Sequence, residues 1–290
     1  MGFKDDLLRV SAETQAHLTS VLAGHPAVPV VEAMGYATAG GKGLRAYLVM
    51  AGAEMHDVPR NRAIWPAAAI EAVHAYSLVH DDLPCMDDDD LRRGEPTVHK
   101  KWDEATAVLA GDALQTLGFE MLVRPECHPE PAVRADLALS MARAAGARGM
   151  VYGQALDMAA ETAETPLTLE QITALQAGKT GALIQWSAEA GARLAQADPS
   201  ALGTYANALG LAFQIADDIL DVEGDAATVG KAVGKDADRG KATFVSLLGL
   251  DGAKRRAADL MQEACDALDM YGNKADRLRE AARFVISRNK

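Results

Sequence analysis

Aromatic residues make up only 5% of this 290-residue chain, and β-branched residues seldom alternate with polar ones. That excludes the signature of an all-β protein, and no strand–helix alternation points to a parallel sheet. Cysteine is scarce: Cys85, Cys127 and Cys265 lie far apart, odd in number and without a Cys-x-x-Cys pair. A disulfide scaffold and a thiolate metal site are thereby disfavoured, and free thiols in a reducing compartment are expected. No apolar run approaches the roughly 20 residues that span a bilayer. The opening MGFKDDLLRV has no charged-then-apolar leader pattern, and Asp6 stands where a myristoylation motif needs Ser or Thr. Basic residues are outnumbered, 29 Lys and Arg against 41 Asp and Glu, for a net charge of −12. Such a surface repels phosphate backbones and anionic bilayers, so no nucleic-acid partner and no stable membrane anchoring are expected. The expected location is the cytoplasm.

Hydrophobic residues make up 49% of the chain, enough for a sizeable core. Alanine and leucine recur at helical spacing almost throughout. The pattern predicts helices over residues 4–23, 28–39, 43–55, 62–82, 104–123, 131–152, 168–192, 199–222, 239–250, 252–271 and 275–287. Pro84 should end the fourth in an acidic loop, and Asp198-Pro199 should start the eighth. No linker is long or Gly/Ser-rich and no repeat is evident, so the expectation is one all-α domain over residues 1–290. The stretch around 62–80 is apolar on most of its surface and must be buried on many sides.

Two acidic clusters stand out. HDDLPCMDDDDLRRG, residues 80–94, places Asp81, Asp82, Asp87, Asp88, Asp89 and Asp90 directly after that apolar helix. FQIADDILDVEGD, residues 213–225, puts Asp217 and Asp221 one helical turn apart, with Asp218 and Gln214 nearby and apolar neighbours between. Carboxylates crowded against apolar surface are costly unless paired or bound to a cation. Carboxylate oxygens are hard ligands and neither cluster offers a zinc-type Cys/His set, so magnesium is the expected ion. Two carboxylate walls sharing Mg²⁺ ions would grip a diphosphate, which lets an acidic protein bind an anionic substrate.

These residues resemble the trans-isoprenyl diphosphate synthases. DDLPCMD (81–87) and DDILD (217–221) look like that family's two aspartate-rich motifs. GGKGLRAY (40–47), HAYSLVHDD (74–82), LRRGEPTVH (91–99), LAGDALQTLGFE (109–120), GQALD (153–157), KTGALI (179–184) and the pairs Gly230-Lys231 and Gly240-Lys241 match in order. The resemblance covers essentially the whole chain. It implies a bundle of about ten or more helices around a deep central cavity, of the isoprenoid synthase type, usually as a homodimer. The longer spacing in the first motif resembles bacterial farnesyl and plant-type geranylgeranyl synthases.

The resemblance implies roles residue by residue. Asp81, Asp87 and Asp217 would hold magnesium, three ions once substrate is bound, with Asp82, Asp218 and Asp221 in support. Arg92, Lys179, Thr180, Gln214, Lys231 and Lys241 would hold the allylic diphosphate and act with those aspartates in catalysis. Lys42, Arg45, His74 and Arg93 would bind isopentenyl diphosphate; His74 lies two turns before Asp81 on the same helix face. Tyr76 and Ser77 would set product length, and Tyr76 beside small Ser77 resembles the farnesyl pattern. The reaction implied is magnesium-dependent condensation of a dimethylallyl or geranyl diphosphate with isopentenyl diphosphate to farnesyl diphosphate. A C20 product is the alternative; a terpene cyclase, a non-catalytic subunit and a magnesium phosphohydrolase fit less well. In the first segment Gly43 and Ala46 replace the family's usual Arg and Pro. The reading requires the helix ends bearing Asp81 and Asp217 to confront each other across an apolar tunnel.

Overall fold

The computed structural model describes residues 2–163, 165–223 and 243–287. The fold is all-α, with fourteen α-helices among the described residues. They are α1 (Phe3–Leu22), α2 (Pro29–Thr38), α3 (Leu44–Met55), α4 (Arg60–Asp81), α5 (Val98–Lys101), α6 (Glu104–Val123), α7 (Pro131–Ala145), α8 (Met150–Glu161), α9 (Leu169–Gln176), α10 (Ala182–Leu194), α11 (Ser200–Glu223), α12 (Phe244–Leu248), α13 (Leu250–Asp266) and α14 (Asp276–Ser287). A π-helical turn, Ala177–Gly181, joins α9 to α10, and a 3₁₀ segment, Asp269–Ala275, precedes α14. Two compact units divide the chain: residues 1–138 with 190–196, and residues 139–189 with 197–290.

In the first unit α4 is the core helix. Ala67, Ala68, Ala69, Ile70, Ala72 and Val73 are fully buried, as an all-round apolar helix must be. It packs against α3 and α6, with α1 and α2 completing its surroundings. In the second unit α11 has that place, packed on α13, α14 and the π turn. The apolar stripe of α13 runs Ala253, Ala257, Leu260, Ala264 on one face. The Tyr205 hydroxyl donates to the Leu278 carbonyl at 2.8 Å, which pins α11 to α14.

Some expectations need correction. The helix expected over 131–152 breaks between Ala145 and Met150, where Gly149 adopts φ −140° and ψ −116°. The helix expected over 168–192 is interrupted by the π turn. The helix expected over 252–271 begins at Leu250 and stops at Asp266. No strand was expected, yet Leu91–Arg92 and Glu95–Pro96 form a two-residue antiparallel ribbon. Arg93 and Gly94 close it with φ of 56° and 83°, the doubly left-handed turn that suits a hairpin's twist. Of residues 239–250, those before Thr243 lie outside the described set. All three cysteines are free, and burial pushes the Cys127 thiol up to about 12.

Candidate active site

The first unit carries the acidic loop and most of the expected basic residues. Asp81 is the last residue of α4. The Asp87 amide donates to the Asp81 carbonyl at 2.8 Å, and the Met86 and Asp88 amides both donate to the Leu83 carbonyl. These bonds fold the loop back so that Asp81 and Asp87 stand side by side in the backbone. Asp82 is only 3% exposed. Arg92 reaches its Oδ1 with Nε and Nη2, each at 2.6 Å. Burial raises the Asp82 carboxyl above its ordinary range, and the Arg92 contacts only partly oppose it. Burial also works against the charge on Arg92, but Asp82, Asp89 and Asp81 outweigh it and its pKa rises. Asp82 and Arg92 thus neutralise each other at the edge of the loop.

A second group gathers on the α3–α4 side. Burial holds the His74 imidazole well below its usual 6.5, helped by the positive charges of Arg45, Arg93 and Arg92. His74 is therefore a neutral hydrogen-bonding ring among three guanidiniums at pH 7. Burial lowers Arg45, Glu71 opposes the shift and Arg93 adds to it. Arg45 Nε is buried with no hydrogen-bond partner. Arg93 donates through Nη1 to the Ala39 carbonyl at 2.8 Å, and a Cβ on Gly41 would stand 3.4 Å from that guanidinium. Lys42, the next residue along, is exposed. Arg45, His74 and Arg93 thus lie within electrostatic reach of one another, with Glu71 as counter-charge to the two arginines, and Lys42 follows Gly41 in the chain beside them.

The two departures at Gly43 and Ala46 have structural reasons. Gly43 is the N-cap of α3 at φ 67°, a left-handed conformation, and a Cβ there would lie 2.8 Å from Ser11 Cβ. Ser11 on α1 donates its hydroxyl to the Gly41 carbonyl at 3.0 Å. The Ala46 amide donates to Glu71 Oε1 at 2.9 Å, a bond proline cannot make.

The pair expected to set product length, Tyr76 and Ser77, is split. Tyr76 is buried and turned towards α6, with its ring edge-on to His80 at 5.8 Å. Burial raises its hydroxyl, the Gln115 side chain opposes this, and Asp81 adds to it. Ser77 is partly exposed and donates to the His74 carbonyl at 2.9 Å.

The second unit holds the other expected residues. Lys179 and Thr180 sit on the π turn. The Lys179 ammonium meets Asp157 Oδ2 at 2.5 Å. A Cβ on Gly153 of α8 would lie 1.9 Å from the Lys179 amide nitrogen, so the two backbones touch there. Gln214 donates to Gln176 Oε1 at 2.6 Å. Asp217, Asp218 and Asp221 lie on the last two turns of α11. Asp218 Oδ2 accepts the Phe244 amide at 2.6 Å, tying the start of α12 to α11. Lys231 and Lys241 lie outside the described residues.

Asp157 and Glu71 had no assigned role in the sequence reading. The i, i+4 spacing of Gly153 and Asp157 in GQALD was the available signal; Glu71 sits within an apolar helix and left a weaker one. Among the described residues no three His, Cys, Asp or Glu side chains converge into a ready-made metal cage. No helix among the described residues is long and apolar enough to cross a membrane.

Residues 29–282 match the polyprenyl synthetase family. The farnesyl diphosphate synthase of Escherichia coli (strain K12) is 47% identical over 273 residues, covering 90% of this chain and 90% of that protein. The apo structure of an FPP/GFPP synthase from Zymomonas mobilis superposes with a TM-score of 0.90 at 45% identity, covering 98% of each chain. A geranyltransferase from Helicobacter pylori, solved with magnesium and isoprenyl diphosphate, gives a TM-score of 0.79 at 34% identity over 97% of this chain and 96% of that one.

Proposed function

The chain belongs to the polyprenyl synthetase family, and we propose that it joins dimethylallyl or geranyl diphosphate to isopentenyl diphosphate, head to tail, with farnesyl diphosphate as product. One observation carries this reading. The first unit places a folded-back aspartate loop beside a basic cluster with a neutral histidine. A metal-dependent and a metal-free diphosphate subsite side by side are what a two-substrate prenyl transfer needs. A cyclase needs only the first.

Asp81, Asp87 and Asp217 would hold magnesium, three ions in the loaded site, with Asp82, Asp218 and Asp221 in support. Magnesium held there would neutralise the allylic diphosphate and make it a better leaving group. Arg92, Lys179 and Thr180 orient that diphosphate, and Lys231 and Lys241 complete the set. Arg45, Lys42 and Arg93 hold isopentenyl diphosphate, with His74 as a neutral donor. An anion there relieves the mutual repulsion of Arg45, Arg92 and Arg93. When the allylic C–O bond breaks, backbone carbonyls of the π turn and the oxygens of Thr180 and Gln214 stabilise the cation. The isopentenyl alkene attacks it, and a proton leaves the adjacent carbon for the departing diphosphate. Tyr76 floors the growing chain at C15. The protein acts in the cytoplasm as a homodimer of single-domain subunits.

Incubation with Mg²⁺, isopentenyl diphosphate and each allylic starter, followed by sizing of the products, tests the reading. The expected product is C15 from either starter, with none when isopentenyl diphosphate or Mg²⁺ is omitted. Hydrocarbon released from an allylic diphosphate alone would identify a cyclase, and free phosphate alone a hydrolase.

A further inference from the structure

Thr97 and His99 belong to the LRRGEPTVH segment, and no step of the proposed reaction uses them. Both are buried, at 2% and 8% exposure. Thr97 is the N-cap of α5, where a threonine hydroxyl ordinarily accepts an amide from the helix's first turn. Here the side chain makes no cap bond. Its hydroxyl instead lies 2.9 Å from the Asp89 carbonyl and 3.4 Å from the Asp90 carbonyl. The Thr97 amide donates to the Asp90 carbonyl at 3.0 Å. One residue therefore grips two successive carbonyls of the acidic loop.

The proton count then orients His99. A threonine hydroxyl has one proton, and a carbonyl can only accept it. His99 Nδ1 stands 3.2 Å from the same hydroxyl oxygen, so Nδ1 must be the donor in that contact. The chain of donors runs from His99 through Thr97 to Asp89. Around it, Lys100 Nζ meets Asp90 at 2.8 Å and Arg92 Nη2 lies 3.8 Å from Asp89. Beside the ribbon lies a cavity of about 200 Å³ lined by Leu78, Val79, Asp82, Arg92, Arg93 and Thr97 among others.

We propose that His99 and Thr97 are positioning residues, a two-step hydrogen-bond relay that fixes the Asp89 and Asp90 carbonyls and so holds the loop in the conformation that sets Asp87 beside Asp81. The inference rests on reading that loop as a magnesium wall. Neither residue needs to touch substrate for this. Their effect passes through the backbone of the loop, as the outer partners of a metal site act on its ligands.

The test uses Thr97→Val, which keeps shape and loses the hydroxyl, and Thr97→Ser, which restores it. His99→Leu removes the ring donor, and His99→Asn keeps a donor near Nδ1. Thermal melts establish that each variant is folded. Hydrogen exchange of the Met86, Asp87 and Asp88 amides reads the loop without substrate or metal. Thr97→Val and His99→Leu should each speed that exchange about tenfold, as loss of one hydrogen bond implies, with Thr97→Ser and His99→Asn close to wild type. In the transfer assay the first two should need about tenfold more Mg²⁺ for half-maximal rate, with kcat at saturating Mg²⁺ changed far less. The double variant Thr97→Val/His99→Leu should be no worse than either single one. Wild-type exchange in folded Thr97→Val overturns the proposal. So does an effect of Thr97→Val that His99→Leu fails to reproduce, or a double variant whose effects multiply. Should Thr97→Val not fold, the contrast between His99→Leu and His99→Asn decides. A wild-type protein without Mg²⁺-dependent transfer would sink the proposed function, while the exchange arm still decides whether the relay holds the loop.

Discussion

His74 is a histidine whose surroundings forbid its charge. Burial and three nearby guanidiniums hold its pKa well below 6.5. The unfolded chain therefore binds a proton at His74 that the folded protein refuses. Stability then falls as pH drops from about 7 through 6.5 and below. Asp82, raised by burial, acts in the opposite sense, from its raised value down through the ordinary carboxylate range. Melting temperature should decline between pH 7.5 and 5.5, and His74→Gln, neutral at every pH, should flatten that decline. An unchanged slope in the glutamine variant would place the acid sensitivity elsewhere. Two neighbouring positions show why the family's usual residues do not suit this chain. Ala46→Pro removes the amide that Glu71 accepts, at a cost of about 1–3 kcal/mol. Gly43→Arg puts a side chain at φ 67° and against Ser11, costing about 1–2 kcal/mol for the conformation alone. Both variants should melt lower than the natural chain by several degrees. A rise would show that Glu71 and Ser11 adapt freely.

Helical periodicity exposes the faces of α4 and α11 because each runs unbroken through a packed core. It cannot register a single extra residue. The π turn at Ala177–Gly181 keeps the helix going, so the apolar spacing on either side reads as one helix over 168–192. Its position follows from a tertiary contact: Gly153 of α8 presses its backbone on Lys179. Gly153→Ala would put a methyl 1.9 Å from the Lys179 nitrogen and 2.6 Å from the Gly178 carbonyl carbon, both backbone atoms that cannot rotate aside. Overpacking of this kind costs about 1–3 kcal/mol or more. The expected result is a lower melt together with a loss of transfer larger than the melt explains, because Lys179 and Thr180 move with the turn. Full activity in a folded Gly153→Ala enzyme would show that the turn's position is irrelevant. On α4, Tyr76 faces His80 and Gln115 on the side turned to α6. Tyr76→Ala should open space there and lengthen the product beyond C15, read by chromatography of the prenyl alcohols. An active variant that still stops at C15 would place the floor elsewhere.

Across the molecule, the ordered motifs made the family and the all-α fold legible, since metal and diphosphate chemistry constrains residue type at fixed spacing. Residues that position others were not legible in that way. Asp157 and Glu71 pair with residues 22 and 25 positions away, and Thr97 bonds a backbone carbonyl; a single sequence records neither kind of contact. The aspartates of the first unit and those of the second either serve one substrate or act separately. Asp81→Ala and Asp217→Ala each remove a carboxylate proposed to hold magnesium on a diphosphate. Each should lower kcat/KM on the order of a thousandfold, the loss of several kcal/mol of charge stabilisation. If both sets serve the same leaving group, the second loss has little left to remove. The double variant should then be about as slow as the slower single one, as for catalytic groups that act as a unit. Independent tasks would instead multiply, giving roughly a millionfold deficit. That outcome, in proteins with wild-type melts, would separate the two acidic motifs and leave the single-site mechanism without support.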